Sequence, residues 1–222
     1  MGRYAAVVPT DQQLADINFV GTVLGPFFSC DPALSQDKLQ PSAQALLDLD
    51  LPAAAQAWPF VEGDAATESI SLMQQGLAEG LDSEPLSSEY RRLFVGPAAK
   101  VAPPWGSVYT DKDMVVFGES TLDLKDWLRC KGIAVARSGS DEPEDHIGTL
   151  LSLMGWLAQN KPELVCEFLQ YHLLTWSGHF LDIVASETNH LFYRGLACLT
   201  DSTLCGIQRA LTLEVELPRF YR

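Results

Sequence analysis

Basic residues are scarce in this chain. Lys and Arg number 15 against 29 Asp and Glu in 222 residues, a net charge of −14. A general nucleic-acid binder needs a basic face, and so does a protein held on anionic lipid, so both classes are excluded. Long apolar runs are missing as well, and none approaches the roughly 18 to 20 residues of a membrane span. Met1 to Thr10 lack the basic-then-apolar layout of an export signal, so a cytoplasmic protein is expected. The cysteines (Cys30, Cys130, Cys166, Cys198, Cys205) are odd in number and form no CxxC pair. A zinc knuckle or a thioredoxin-type site is therefore excluded, and reduced, mostly buried thiols are expected. Neither a GxGxxG turn nor a GxxxxGK phosphate loop is present, and there is no GxSxG nucleophile elbow.

What is present is globular: 47% hydrophobic and 20% charged residues exclude a wholly disordered chain. The apolar period is helical for most of the length. Thr10 to Gln13 read as a capping box, followed by Leu14, Ile17, Val20, Leu24 and Phe27 or Phe28 on one face. Gly21 and Gly25 share that turn spacing and allow close helix packing. Pro41 is expected to break a second helix, residues 50 to 66 to be irregular, and Thr67 to start the next helix. The stretch 96 to 110 carries three prolines and two glycines and is expected to be irregular, with Val115 to Phe117 a short extended piece. Later helices carry Leu151, Met154, Phe168, Phe180 and Leu196, expected in one core. The resulting fold class is all-α, a single helical domain of about ten helices over residues 1–222. An N-terminal helical part (1–95) and a C-terminal one (111–222) are joined by the irregular connector (96–110).

Two features carry binding chemistry. Asp141-Glu142-Pro143-Glu144-Asp145-His146 gathers four carboxylates and a histidine at the start of an amphipathic helix. The cluster is either a complement to the helix dipole or a receiver for a guanidinium or ammonium group. Pro103-Pro104-Trp105, followed by Tyr109, places a large aromatic on a rigid loop. Trp105 is either a core plug or an apolar anchor at a groove. One ExxH occurs, Glu187 to His190, but a di-iron bundle needs two copies and two further inward glutamates, so no metal is expected.

Four stretches in order carry a resemblance: Tyr90 to Pro97 (YRRLFVGP), Ala102 to Tyr109 (APPWGSVY), Phe117 to Thr121 (FGEST) and Glu142 to His146 (EPEDH). Together they resemble the TorD/DmsD family, with the DmsD branch the nearer likeness. The resemblance is good over roughly residues 86 to 222 and only a helical pattern over 11 to 85. It implies an all-helical cytoplasmic chaperone, without cofactor or catalytic group, for a molybdenum-cofactor oxidoreductase of the dimethyl sulfoxide reductase kind. The implied partners are the twin-arginine signal peptide of the immature catalytic subunit and the twin-arginine translocase, with the chaperone a monomer or a dimer that exchanges helices. By the match, Leu93, Pro104, Trp105, Gly118, Asp145 and His146 occupy peptide-binding positions. Asp145, with Glu142 or Glu144, suits the arginines, and Leu93, Pro104, Trp105 and Tyr109 suit the apolar stretch. Asp145 is expected to stay ionised near neutral pH because it opens a helix. Two departures from the DmsD pattern are Ala98 and Tyr109, where tryptophan is usual. Competing readings are a guanine-nucleotide hydrolase, which the missing phosphate loop disfavours, and a helical adaptor without peptide specificity.

Overall fold

The structure, a computed structural model, describes residues 8–97, 99–134 and 143–222. Ala98 and Glu142, both named above, lie outside the described residues. Thr10 opens the fold with the expected capping box: its hydroxyl accepts from the Gln13 amide while the Gln13 side chain accepts from the Thr10 amide. Helix α1 (Asp11–Ser29) then buries Ile17, Val20, Leu24, Phe27 and Phe28. Next come α2 (Gln36–Asp48), α3 (Leu51–Ala57), α4 (Gly63–Leu77) and α5 (Glu84–Tyr90), which runs on into a π-turn over Arg91–Val95.

Pro41 does not break α2. Both Pro41 and Asp37, whose carbonyl loses the bond, are exposed, so water takes up the freed acceptor. The region 50 to 66 is likewise more regular than its prolines suggest. Asp50 caps α3 by accepting from the Ala53 amide, and Pro52 falls in the first turn, where no amide is needed.

The connector holds a short α6 (Ser107–Thr110). Residues Met114 to Phe117 are not an extended piece. Met114 and Phe117 adopt positive φ of 51° and 68°, so the chain turns twice and leaves four apolar side chains exposed. The C-terminal part contains α7 (Glu119–Cys130), α8 (Ile147–Asn160), a 3₁₀ turn, α9 (Val165–Phe168) with a following π-turn (Leu169–Leu173), α10 (Ser177–Glu187) and α11 (Leu191–Ala210). Residues 213–222 carry neither helix nor strand.

The packing crosses the connector. Helix α1 lies along α8, and α4 along α11, so helices from both sequence halves share one hydrophobic cluster. Leu151, Met154, Phe168, Phe180 and Leu196 are all fully buried in it. Gly21 and Gly25 make the α1–α8 seam close: a Cβ on Gly21 would fall 2.9 Å from the Gly155 amide nitrogen, and one on Gly25 would fall 2.9 Å from the Gly148 carbonyl.

Candidate functional site

The two sequence features meet. Trp105 and His146 form an isolated antiparallel bridge. The Ile147 amide donates to the Pro104 carbonyl (2.8 Å), and the Gly106 amide donates to the Asp145 carbonyl (3.3 Å). The proline pair thus holds its loop straight enough to pair with the chain entering α8. Their side chains also touch, with the Trp105 and His146 rings edge to face at 6.0 Å. The Lys100 ammonium lies 5.4 Å from the Trp105 centroid.

Asp145 is 3% exposed. Its Oδ2 accepts from the Ser107 amide at 2.8 Å. Its Oδ1 is buried without a directed hydrogen bond, as are the hydroxyls of Ser107 and Thr121 among the described residues. Burial pushes the Asp145 carboxyl above its ordinary range, and the Ser107 amide and the nearby Ser107 and Thr121 hydroxyls only partly offset that. The amide that supports the Asp145 carboxylate is that of Ser107, not one of α8. His146, not Asp145, is the α8 cap, with its Nδ1 accepting from the Gly148 amide at 3.1 Å. Burial drives the His146 imidazole down to about 3, so the ring is neutral at pH 7.

The other expected residues lie in different settings. Glu144, with its side chain 12% exposed, pairs with Lys125 at 3.1 Å. Leu93 is fully buried in the π-turn after α5, and Pro104 is buried beside the bridge. Tyr109 is fully buried: its hydroxyl donates to the Pro103 carbonyl at 2.8 Å, and its ring stacks on Trp176. Burial raises its phenol well above the ordinary value. Gly118 precedes α7, where any Cβ would collide with the Asp111 carboxylate.

Of the eight of these residues that are described, only Asp145 lines a cleft of about 480 Å³. Its other walls are Thr110, then Ser120, Asp123 and Leu124 of α7, then Tyr171, His172, Thr175 and Trp176, and Glu216 to Pro218 from the final segment. Three carboxylates border it (Asp123, Asp145 and Glu216), and among the described residues neither lysine nor arginine does. His172 adds no charge near neutral pH, since burial lowers its imidazole against the pull of Asp123 and Glu167. Asp123, Glu216, Tyr171 and Leu217 escaped the sequence reading because they come from separate stretches with no motif spacing. The lone usable signal was the acidic and apolar alternation from Leu213 to Leu217.

The described residues form an all-helical protein with an acidic, partly apolar cleft, and they hold no metal-type cluster. Comparison with known proteins gives the family. A family model described as nitrate reductase delta subunit matches residues 63–182. The chain is 38% identical over 211 residues to a probable Tat proofreading chaperone DmsD of Haemophilus influenzae, covering 94% of this chain and 98% of that protein. It is also 38% identical over 212 residues to the Tat proofreading chaperone DmsD of Salmonella typhimurium, covering 95% and 98%. Chaperone protein TorD of Vibrio vulnificus strain YJ016 is 26% identical over 165 residues, covering 64% and 76%. The chain belongs to this TorD/DmsD chaperone family, and it is not an enzyme.

Proposed function

We propose that the chain is a cytoplasmic redox-enzyme maturation chaperone. It binds the twin-arginine signal peptide on the immature catalytic subunit of a molybdenum-cofactor oxidoreductase, one resembling dimethyl sulfoxide reductase. It withholds that subunit from the translocase until the cofactor is loaded. The names of the relatives support this reading, and the observation that carries it is the cleft lined by Asp123, Asp145 and Glu216 without a basic residue among the described ones. Guanidinium suits such a lining because it donates along several directions and stays charged when partly desolvated. Tyr171, Leu124, Trp176 and Leu217 give the same cleft apolar walls for the stretch that follows the arginines. Trp105 lies behind Asp145, across the bridge, and acts by holding the 104–107 segment in place as much as by contact. The chain acts as one folded unit, because removing either sequence half would expose the α1–α8 and α4–α11 seams. A nucleoside triphosphate gains nothing from three carboxylates.

Calorimetry with synthetic signal peptides tests the reading. Twin-arginine peptide should bind at least about tenfold more tightly than its twin-lysine counterpart, since lysine cannot reproduce the planar fork. Equal binding of the two would place the chain among non-specific helical adaptors.

A further inference from the structure

The final segment has the pattern of a β-strand in a protein whose described residues form no sheet. From Leu213 to Glu216, inward and outward side chains alternate: Leu213 is buried, Glu214 exposed, Val215 half-buried against the core and Glu216 exposed. That period of two is the signature of extended backbone with one covered face. Residues 213–222 contain no turn or bend.

Both ends of the segment are tied down. At the start, the Leu213 amide donates to the Gln208 carbonyl at 3.0 Å, and the Gln208 side chain donates to the Leu213 carbonyl at 3.3 Å. At the far end, the Tyr221 amide donates to the Tyr109 carbonyl at 2.9 Å. Phe220 stacks on His179 with centroids 4.2 Å apart, and the Arg222 guanidinium donates to the Lys100 carbonyl. Between these anchors, Glu214 to Arg219 make no hydrogen bond to any described residue. Leu217 is 68% exposed there, yet Glu216, Leu217 and Pro218 wall the acidic cleft. An extended strand fixed at both ends with unpaired amides and carbonyls is a template for a second strand.

We infer that residues 214–217 are a backbone docking edge. A cationic peptide lies extended beside them, its main chain pairing with their free groups, its two arginine side chains turned into the cleft toward Glu216, Asp123 and Asp145. The occupant follows from charge: the cleft wall carries the acidic side chains Asp123, Asp145 and Glu216 and, among the described residues, no lysine or arginine. This rests on the peptide-binding reading above and adds the conformation and the register-setting contact. Pro218, which has no amide to offer, ends the edge on the side nearer Arg219.

Amide hydrogen exchange on the whole protein, with calorimetry in parallel, tests it. The probe is a synthetic peptide of two adjacent arginines followed by alternating leucine and alanine. Free protein should exchange the amides of Glu214 to Leu217 rapidly, because nothing protects them. Saturating peptide should slow them by at least about tenfold. Methylating alternate backbone nitrogens of the peptide should weaken binding in one phase of alternation and not in the other. Binding heat with the 214–217 amides still unprotected, as a helical peptide would leave them, overturns the docking edge alone. Protection that grows with protein concentration in the absence of peptide overturns it in favour of a second copy of the chain. No binding heat at all overturns the functional reading beneath it as well.

Discussion

At the scale of the residue, two neighbours carry opposite electrostatic burdens. His146 and Asp145 are both about 3% exposed, and burial pushes each toward its neutral form. For His146 the folded pKa, about 3, lies below the ordinary 6.5. The unfolded chain therefore binds the proton more readily between those values, and stability from this group is complete above about pH 6.5 and falls as pH drops toward 3. Asp145 works in the reverse sense, since a raised carboxyl pKa favours the folded state as pH falls. A comparison of wild type with His146→Asn, which keeps a capping side chain, cancels the Asp145 contribution to first order. The stability difference in urea should shrink by up to about 1.4 kcal/mol per pH unit as pH is lowered from 6.5 to 4. A difference constant across that range would mean that the imidazole is not shielded. The residue scale also shows where sequence reading stopped. Asp145 and His146 could be picked out from composition, but that His146 is the one that caps α8 could not. A histidine caps a helix by accepting at Nδ1, as His190 also does for the α11 amide of Phe192 at 3.2 Å, and that needs geometry no spacing rule supplies. Glu144 was grouped with Asp145 on charge alone, although Lys125, nineteen positions earlier and out of view to local spacing, already pairs with it.

At the scale of the element, the helices were legible where period and caps agreed. Thr10, the apolar face of α1 and the bulk of α8 to α11 needed nothing beyond local sequence. Prolines misled in α2 and α3, because their effect depends on whether the lost amide bond faces water or falls in the first turn. The connector was legible as irregular, whereas its pairing with the chain before α8 was not, since a single long-range bridge leaves no periodic trace. That pairing sets the expectation for Trp105→Ala. The backbone bridge survives the truncation, so the fold should persist, while loss of the ring contact with His146 loosens the segment that holds Asp145 and peptide affinity drops by about 1 to 2 kcal/mol. A lost helical signal in circular dichroism would make Trp105 a core plug instead. Helix α1 offers an independent test. Gly21→Ala gains about 1 kcal/mol of helix propensity, but the new methyl meets the Gly155 backbone, which cannot rotate away as a side chain would. Overpacking of about 1 to 3 kcal/mol should therefore prevail, lowering the urea midpoint. A raised midpoint would show that the α1–α8 seam is looser than described.

At the scale of the whole molecule, the net charge of −14 is a long-range field and the cleft a short-range receiver. The field should accelerate encounter with a basic peptide, and salt should screen it within about 10 Å at 0.1 M. Stopped-flow association rates should then fall steeply with ionic strength, while dissociation changes far less. The family and the all-helical fold could be read from four ordered motifs, but the cleft could not, because α7, the 171–176 turn and the final segment converge only after folding. On the proposed function, this cleft reads arginine through Asp145. The most direct measurement is a double-mutant cycle by calorimetry: wild type and Asp145→Asn, each against a twin-arginine peptide and its twin-glutamine counterpart, with Glu144→Gln as control. The account predicts a loss of about tenfold or more for Asp145→Asn with the arginine peptide, roughly 1.5 to 3 kcal/mol for one charge-assisted partner. It predicts little loss with the glutamine peptide, and little effect of Glu144→Gln on either. A coupling energy near zero between Asp145 and the arginines would contradict it, leaving Asp145 as a strut that fastens the Ser107 amide.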